Sequence, residues 1–564
     1  MKSNDLLPRI VASPSARVPI PARIRLALDR DLGVGNFLEL VRRYTRHTDR
    51  PFLYAQRPDA GRAAGGGPIE SFSLDGLAQT RDAYASWYHS AGVRKGDPVA
   101  VYLDNGIDPF LHFLALSSLG AVAALVNGRM PTAVAAEYTA RIGVVGVVAT
   151  AERLAALRHH GPPPAWTAEH TELPTVRGSG GLPPVYPYPH ADDDPVMLCH
   201  TSGTTGPPKA ATFGHRQFFL GKRQRLWNFP PASRNRLLSA LPQSHSAGIS
   251  YLMTATLLGL PTLVMADSSG PAVHQAMAAF QPTMVVAFPE TYAELAEMSV
   301  DQSAAASIHT WINTGDSAHE AHIRALIRHG HRPGRRGGRP GSRFIDGLGS
   351  SEMGMALFRK VSEPESSDYS RCVGTPISVV REAAVLDDAG RRLGPHQPGR
   401  LGVRTPTRTA GYWNDSGTTN RSSISGYWLT GDIVYQDERG RFYHVDRVPD
   451  VIHSSGGPIY SLPMEEAILV GCPQVADCAV VAVAAPTPKA GDVPFAAIKL
   501  MPGAAEPDDL LSTLNAALAA RDLPALRAAA VAHDAADFPT GPTGKVLKRQ
   551  LRQRLHDVLR QPVP

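Results

Sequence analysis

The sequence predicts an α/β protein with one large domain followed by a small C-terminal unit. The chain has 564 residues, which is too many for a single hydrophobic core. Short apolar stretches of strand length alternate with segments of helical spacing, which is typical of a largely parallel sheet covered on both faces. A change of composition near Arg447 marks the start of the smaller unit, which has strands and helices of its own.

The elements of the large domain follow one another in the order that an α/β fold requires. The stretch LDGLAQTRDAYASWYHSAGV has helical spacing and ends at Gly92, and the apolar run at 97–104 has the length of a strand. The apolar segment 109–126 is long enough to predict a helix. The alternation returns with a strand at 283–288, a helix around Glu290–Met298 and a helix at 319–330.

The small unit has the pattern of an α+β fold. Strands are predicted at 475–484 and 496–501, a helix at 508–522, and a basic helix at the C-terminal end. Segments rich in Gly and Pro predict loops in the large domain, at 57–68, 159–190 and 331–343.

Composition and charge narrow the class of protein. With 43% hydrophobic and 19% charged residues, the chain is typical of soluble globular proteins. Its net charge of +6 favours anionic ligands, but no basic stripe with interleaved aromatic residues predicts nucleic-acid binding. No stretch predicts a membrane helix or a signal peptide, and the four cysteines show no metal-binding spacing. A reducing cytoplasm is therefore the expected location. Nothing in the sequence sets the oligomeric state.

The segment CHTSGTTGPPKAAT at 199–212 has the chemistry of a phosphate-binding loop. Glycine lets backbone N–H groups approach a ligand closely, hydroxyl groups add donors, and Lys209 supplies a positive charge. The segment follows a strand-like stretch, but it does not match the GxxxxGK[ST] pattern of NTPases. On composition alone, both a phosphate loop and a simple surface turn remain open.

The order of residues in TSGTTGPPK (201–209) resembles the signature of the adenylate-forming superfamily, which includes acyl-CoA synthetases, adenylation domains of peptide synthetases and luciferases. Further segments resemble that family's motifs in the same chain order: GVRKGDPVAVYLDN (92–105), LPQSHSAG (241–248), WINTGDSA (311–318), DGLGSSEMG (346–354), GYW (411–413), YWLTGD (427–432), DRVPDVIHSSGGPI (446–459) and PTGPTGKVLKRQLR (539–552). DGLGSSEMG is similar to the form found in benzoate-type CoA ligases. The resemblance therefore points to the acyl- or aryl-CoA ligase branch.

This resemblance implies a fold and a reaction. The fold would be a large N-terminal domain of layered α/β subdomains with mostly parallel sheets, and a small mobile α+β lid. The implied boundaries are 1–447 for the N-terminal domain, 448–450 for a hinge and 451–564 for the lid. In the family a carboxylate attacks the α-phosphate of ATP to give acyl-AMP and pyrophosphate, and a thiol then displaces AMP. ATP, Mg²⁺, coenzyme A as co-substrate and a small carboxylic acid are the expected partners.

The motif matches imply which residues hold the nucleotide. The loop from Thr201 to Lys209 would cradle the β- and γ-phosphates, and Asp432 and Arg447 would reach the ribose. Residues of the segments WINTGDSA and DGLGSSEMG would lie along adenine and the acyl group. The complete implied set is Thr201, Ser202, Gly203, Thr204, Thr205, Gly206, Lys209, Gly315, Asp316, Ser317, Asp346, Gly347, Leu348, Gly349, Ser350, Ser351, Asp432 and Arg447.

Three residues carry implied catalytic roles. Lys545 matches the lysine that bridges the attacking carboxylate and the α-phosphate, whereas Lys548 and Arg549 are expected to be surface charges of a basic helix. Glu352 matches the magnesium-binding glutamate, with Thr204 assisting, because a hard cation on phosphate prefers oxygen ligands. His245 matches a position that gates the thiol tunnel.

The sequence departs from the family pattern at the hinge and beside the nucleotide. Pro449 stands where Asp or Lys is common, and proline fixes φ near −65°. We therefore expect one of three effects: the pivot shifts to Val448 or Asp450, the rotation of the lid is slower, or the lid stays in one state. Asp316 and Ser317 stand where the family usually has Gly and Ala. Leu348 replaces an aromatic residue beside adenine, and Asp346 replaces Asn.

The expected function is therefore activation of a hydrophobic or aromatic carboxylic acid as acyl-AMP, followed by transfer to coenzyme A. Because adenylation does not need the rotation that Pro449 restricts, a second reading is an adenylating enzyme that passes the acyl group to a carrier protein, an amine or another small nucleophile. A third reading is a non-catalytic nucleotide-binding relative. Retention of Lys545, Glu352 and Asp432 argues against the third.

Overall fold

The computed structural model describes residues 17–57, 68–161, 164–175, 181–201, 207–229, 235–298, 300–334, 338–484, 491–534, 536–541 and 544–560. The predicted phosphate loop at 202–206 and most of the predicted loop at 57–68 lie outside these residues. No helix of the described residues is long and apolar enough to cross a membrane.

The first sheet has six strands, which are parallel except for the last pair. Their spatial order is Trp166–Glu169, Gly146–Ala149, Pro98–Leu103, Val122–Asn127, Pro195–His200 and Ala210–Gly214. The helices Asp108–Ser118, Thr132–Ile142 and Ala151–Leu157 connect these strands, and the helix Leu74–Ser90 precedes the first of them in the chain. The two central strands are buried throughout, which explains why they read as continuous apolar runs.

The sequence predicted one helix over the apolar segment 109–126, but this segment does not form a single helix. It is a helix up to Ser118 followed by the buried strand Val122–Asn127. Gly120 separates the two with φ of 76°, a backbone conformation that ends a helix readily because glycine has no Cβ. Periodicity alone could not locate this break, because both halves are buried on all sides.

The second sheet is parallel over its first half and antiparallel over its second. The parallel strands are Leu53–Gln56, Thr262–Val264, Leu237–Ser239, Met284–Ala287, Thr310–Asn313 and Arg343–Asp346, with Ile69–Phe72 antiparallel at the edge. The antiparallel part contains Phe358–Ser362, Cys372–Pro376, Phe442–Arg447, Tyr427–Gln436, Gly399–Arg404 and Glu382–Leu386, with Ser423–Ile424 paired beside it. The expectation of mostly parallel sheets thus holds for the strands before Phe358.

The remaining helices of the large domain pack on these sheets or between them. They are Ile20–Leu28, Phe37–Tyr44, His215–Asn228, Ser246–Leu258, Gly270–Phe280, Pro289–Glu297, Gln302–Ala305, Glu320–Ile327 and Ser416–Arg421. Short strand pairs join His331–Arg332 to Arg339–Pro340, and Gly349–Ser350 to Met355–Ala356.

The C-terminal unit has a hydrophobic core of its own. The strands Val475–Ala484, Asp492–Leu500 and Ala528–Val531 form its sheet. The helices Ser461–Gly471, Leu510–Ala519 and Lys548–Arg560 pack with it, and Ile452–Ser454 pairs with Gly457–Ile459. Lys548 is not a surface charge: only 12% of its side chain is exposed, and its Nζ lies 2.7 Å from Glu465 Oε1.

Buried polar contacts dock the C-terminal unit on the large domain. Glu466, whose side chain is 3% exposed, places Oε2 2.7 Å from His319 Nδ1 and 3.7 Å from Arg371 Nη1. Lys499 pairs with Glu297 at 2.8 Å. These contacts hold the C-terminal unit over one end of the large sheets.

Candidate active site

A cavity lies where the C-terminal unit meets the large domain. Its walls are the turns that follow the parallel strands, which is where open α/β sheets bind ligands. The lining residues are Thr201, His245, Ser246, Ala247, Phe288, Pro289, Thr314, Gly315, Asp316, Leu348, Gly349, Ser350, Ser351, Glu352, Met355, Thr430, Asp432, Arg447 and Lys545. Lys545 belongs to the C-terminal unit, so both parts of the chain contribute to the cavity.

An ion pair between the two parts crosses the cavity. Lys545 Nζ lies 3.0 Å from Asp316 Oδ2. Burial alone would raise the pKa of Asp316, but Lys545, His444 and Arg447 together hold it well below its ordinary value. The Asp316 carboxylate is therefore ionised at neutral pH and fixes the lysine at the centre of the site.

Asp432 and Arg447 face each other from paired strands. They are direct partners in the strand register, and Arg447 Nε lies 2.9 Å from Asp432 Oδ1. Burial would lower the pKa of Arg447, but Asp432, Asp316 and Asp450 raise it instead. The guanidinium keeps its charge and holds a buried carboxylate at the edge of the cavity, where two hydroxyl groups of a sugar could donate to it.

Glu352 lies in a one-turn helix, Ser351–Met353, directly after the strand Gly349–Ser350. Tyr412 Oη donates a hydrogen bond of 2.7 Å to Glu352 Oε1, and the Lys209 ammonium lies 5.1 Å from the centre of the Tyr412 ring. Tyr412 thus connects the predicted metal ligand with the lysine of the predicted phosphate loop. Because Glu352 lines the cavity, its carboxylate fits a magnesium ion that bridges phosphate oxygens. Among the described residues, no group of three or more His, Cys, Asp or Glu could hold a metal unaided.

His245 caps the helix Ser246–Leu258. Its Nδ1 accepts the N–H of Ala247 at 3.1 Å, and its ring packs edge-on against Phe288 with the ring centres 5.1 Å apart. Burial, with smaller contributions from His200 and Lys545, lowers the pKa of His245 to about 3. The imidazole is therefore neutral, which suits a wall or a gate better than a proton carrier at neutral pH.

The turn after the strand Thr310–Asn313 is held in shape by groups behind the cavity. Gly315 has φ of 96°, and a Cβ there would lie 2.9 Å from the Phe288 ring. Behind the turn, Asp346 accepts the amide N–H of Asn313 at 2.6 Å and the backbone N–H of Ala318 at 3.2 Å. Burial raises the pKa of Asp346 to about 6.

The structure brings most of the predicted site residues together. Those that line the cavity are Thr201, His245, Gly315, Asp316, Leu348, Gly349, Ser350, Ser351, Glu352, Asp432, Arg447 and Lys545. Asp346, Gly347 and Ser317 do not line it; they support the turn from behind, where Ser317 Oγ lies 3.1 Å from His444 Nδ1. Lys209 lies beside Tyr412. Ser202, Gly203, Thr204, Thr205 and Gly206 lie outside the described residues.

Sequence reasoning assigned no role to several residues of the site. Thr430 lines the cavity, and Tyr412 donates a hydrogen bond to Glu352. Both belong to segments that resemble family motifs, YWLTGD and GYW. The ion pair between Asp316 and Lys545 was also missed. The one feature of the sequence that could have indicated this ion pair is the Asp that stands in place of the usual glycine at 316. The two residues are more than 200 positions apart in the chain, so their sequence positions do not indicate a contact.

The connection between the two parts is a single turn. Val448–Asp450 forms a 3₁₀ turn directly after the strand Phe442–Arg447. Arg552, on the last helix, donates hydrogen bonds of 2.7 Å to the Pro449 carbonyl and to the Asp450 carboxylate. The turn is thus fixed by proline and by a side chain of the C-terminal unit.

Comparison with known proteins gives two family matches and several relatives that match over most of the chain. Residues 41–413 match the model of AMP-binding enzymes, and residues 465–545 match that of the AMP-binding enzyme C-terminal domain.

The chain is 40% identical over 552 residues to a 3-aminoavenalumate diazotase of Streptomyces sp., covering 94% of this chain and 97% of that relative. It is 26% identical over 446 residues to a 3-amino-2-hydroxy-4-methoxybenzoate diazotase of Streptomyces cremeus, with 72% and 76% covered. A 4-coumarate–CoA ligase-like protein of Arabidopsis thaliana is 27% identical over 492 residues, with 84% and 83% covered.

Solved structures share the fold. An anthranilate CoA ligase in complex with anthranoyl-AMP superposes with a TM-score of 0.78 at 17% identity, covering 94% of this chain and 99% of that structure. O-succinylbenzoate CoA synthetase of Bacillus subtilis, in complex with ATP and magnesium, gives 0.71 at 23% identity, with 86% and 94% covered. The chain belongs to the AMP-binding enzymes of the adenylate-forming superfamily, and carries their C-terminal domain.

Proposed function

We propose that the chain is an ATP-dependent, AMP-forming diazotase, which converts the amine of an aromatic substrate into a diazonium group. The observation that carries this proposal is the 40% identity to 3-aminoavenalumate diazotase, which extends over nearly the full length of both chains. The second relative named as a diazotase supports it. The expectation of a CoA ligase from the sequence becomes the second candidate.

The chemistry suits an adenylate-forming site. A diazonium group contains one nitrogen more than the amine, and nitrite supplies it in an oxidation state that requires no further oxidant. Nitrite resembles a carboxylate in that its oxygen is a poor leaving group. Attack of a nitrite oxygen on the α-phosphorus of ATP releases pyrophosphate and leaves nitrogen bonded to a good leaving group, AMP.

The second half of the reaction is attack by the amine. The amine nitrogen forms a bond to the nitrite-derived nitrogen as the bond from that nitrogen to the AMP oxygen breaks. The amine loses one proton in this attack and becomes an N-nitrosamine, whose remaining N–H proton moves to oxygen. Return of the first proton to that oxygen lets it leave as water, which gives the diazonium group. The sum is amine, nitrite and ATP giving diazonium, AMP, pyrophosphate and water, which balances in atoms and charge.

The cavity offers a group for each step. Lys545 would neutralise charge that builds up at the α-phosphate, and Asp432 with Arg447 would bind the ribose. Asp316, ionised and 3.0 Å from Lys545, would hold that lysine in place and accept a hydrogen bond from the amine. Glu352 would hold magnesium, which would supply charge neutralisation at the departing pyrophosphate.

The domain assignment is part of the proposal. We place the N-terminal domain at 1–447, the hinge at 448–450 and the lid at 451–564, supported by the 3₁₀ turn Val448–Asp450 between two separate cores. A small amine needs no long pantetheine arm, so the reaction fits a hinge that proline restricts. A cytoplasmic location is supported by the four cysteines, which form no disulfide.

The second candidate is an AMP-forming CoA ligase of an aromatic acid. It is favoured by the CoA-ligase relatives, which match over most of the chain at lower identity. Both candidates predict ATP-dependent AMP formation, and they differ in the co-substrate that triggers it.

One experiment separates them. The purified protein is incubated with ATP, Mg²⁺ and 3-amino-4-hydroxybenzoate, with either nitrite or coenzyme A, and AMP and products are followed by liquid chromatography and mass spectrometry. A diazotase forms AMP only with nitrite, and ¹⁵N-nitrite shifts the diazo product by one mass unit. AMP and a thioester formed with coenzyme A and no nitrite would favour the ligase. AMP formed under neither condition, across a panel of aromatic amines and acids, would overturn both.

A further inference from the structure

We infer that Lys222 and Arg225 bind an anionic group of the aromatic substrate at the end remote from its reacting amine. This assignment rests on the diazotase activity proposed above. It defines the substrate class as aromatic amines that carry a carboxylate, and it fixes which end of the molecule enters the pocket first.

Lys222 is a fully buried lysine that has no carboxylate partner among the residues that the structure describes. It lies on the helix His215–Asn228, and only 1% of its surface is exposed. Its Nζ donates to the Phe218 carbonyl at 2.6 Å and lies 3.0 Å from the centre of the Phe218 ring. That carbonyl also accepts the helical N–H of the next turn, so it is a weak partner. Burying an ammonium group without a paired carboxylate is costly, and such groups are kept mainly where they have a function.

Arg225 lies one turn further along the same helix. Its Nη1 donates to Ser250 Oγ at 3.2 Å and to Thr254 Oγ1 at 3.1 Å, and its guanidinium lies 4.1 Å from the centre of the Tyr251 ring. Among the described residues, neither Arg225 nor Lys222 forms an ion pair with any Asp or Glu. Two basic side chains on one face of a helix thus share a site to which none of the described residues contributes a carboxylate.

This site borders the active-site cavity. A Cβ on Gly221, the residue before Lys222, would lie 2.8 Å from Met355 Sδ, and Met355 lines the cavity. On the other side, Cys199 interacts with both Lys222 and Ser246, another lining residue. The helix that holds the partners of Arg225 begins at Ser246. The helix that carries Lys222 therefore packs directly behind Met355 of the cavity wall.

The direction of the substrate follows from the chemistry. In a CoA ligase the carboxylate is the reacting group, and it must lie beside Lys545. In a diazotase the amine lies there, so a carboxylate across the ring points towards the large domain. A carboxylate that reaches Lys222 would supply the missing counter-ion. Burial and the nearby Arg225 hold the pKa of Lys222 well below its ordinary value, so such binding would be accompanied by uptake of a proton.

The test compares two amines that differ only in the carboxylate, 3-amino-4-hydroxybenzoate and 2-aminophenol. In Lys222→Met, which keeps the length and removes the charge, we expect KM for the acid to rise roughly 10- to 100-fold with kcat little changed, the range expected when a charge-assisted hydrogen bond is lost. KM for 2-aminophenol should stay unchanged. The control is Arg216→Met, which removes an exposed cation of the same helix that pairs with Asp192.

A second readout separates this inference from the proposed function. Nitrite-dependent exchange of pyrophosphate into ATP needs no amine, so it should be equal in the wild type and in Lys222→Met. Wild type without such exchange would overturn the diazotase proposal itself. A second case is a wild type that shows both exchange and diazonium formation. In that case, Lys222→Met would overturn only the role of Lys222 if KM changed equally for both amines or changed for neither. If Lys222→Met fails to fold, the partly exposed Arg225→Gln takes its place, with the same expected loss of preference for the acid.

Discussion

At the scale of single residues, the proposed function assigns to Lys545 the largest part in the first half-reaction. We expect Lys545→Met to reduce nitrite-dependent pyrophosphate exchange by roughly 10²- to 10³-fold, the loss typical of removing one preorganised charge donor. The control is Arg549→Met on the following helix, where the side chain is exposed. Equal activity of the Lys545 variant and the control would contradict the assignment.

Asp346 gives a prediction about stability and pH. Burial raises its pKa in the folded protein from 3.8 to about 6, so the folded state binds more protons than the unfolded state between these values. Stability contributed by Asp346 is therefore present below about pH 4 and is lost as the pH rises through 6. Two pKa units correspond to about 3 kcal/mol.

The measurement is the difference in melting temperature between the wild type and Asp346→Asn, recorded from pH 4 to 8. We expect the wild type to lose stability relative to the variant between pH 4 and 6, with no further change above pH 7. A difference that is constant across the whole range would show that Asp346 is ionised in the fold at pH 4.

At the scale of elements, the connection Val448–Asp450 limits how the two parts of the chain can move. Pro449 fixes one dihedral angle, and Arg552 binds the Pro449 carbonyl and Asp450. Pro449→Asp keeps that carbonyl and restores a freely rotating residue. Because the proposed reaction needs no rotation, we expect diazonium formation to stay within about twofold of the wild type.

The outcome also bears on the second candidate. If the protein transfers acyl groups to coenzyme A, the same substitution should raise the rate of thioester formation while adenylation stays constant. A fall of diazonium formation by more than tenfold would show that the rigid turn itself is needed to hold Lys545 at the cavity.

At the scale of the whole molecule, we expect activity to depend on docking of the C-terminal unit, because Lys545 reaches the cavity from that unit. Glu466 is buried between His319 and Arg371, and its removal leaves Arg371 without its carboxylate partner. Breaking a buried pair in this way costs about 3–5 kcal/mol. We expect Glu466→Ala to release the C-terminal unit, which slows pyrophosphate exchange and speeds proteolysis near residue 450.

The control for this prediction is Glu438→Ala, which removes an exposed carboxylate paired with His396. It should leave both measurements unchanged. Slower exchange in the Glu466 variant without faster proteolysis would place its effect inside the cavity and not at the docking surface.

The sequence predicted the fold class and most residues that line the cavity, because motifs fix short segments that follow strands. It could not predict the break at Gly120, since a buried helix and a buried strand have the same apolar character. It also missed that Lys548 is buried against Glu465, which depends on packing between a helix and a distant strand. The sequence analysis did not predict the proposed activation of nitrite in place of a carboxylic acid, because both reactions begin with the same attack on ATP and use the same nucleotide site.

The burial of every thiol in the chain has a consequence for an enzyme of this kind. All four cysteines are buried, and burial raises the pKa of Cys199, close to the cavity, to about 12. Activated nitrite is a nitrosating agent, and such agents modify exposed thiolates fastest. A protein that keeps its sulfur atoms protonated and out of solvent can therefore generate that reagent over many turnovers without inactivating itself.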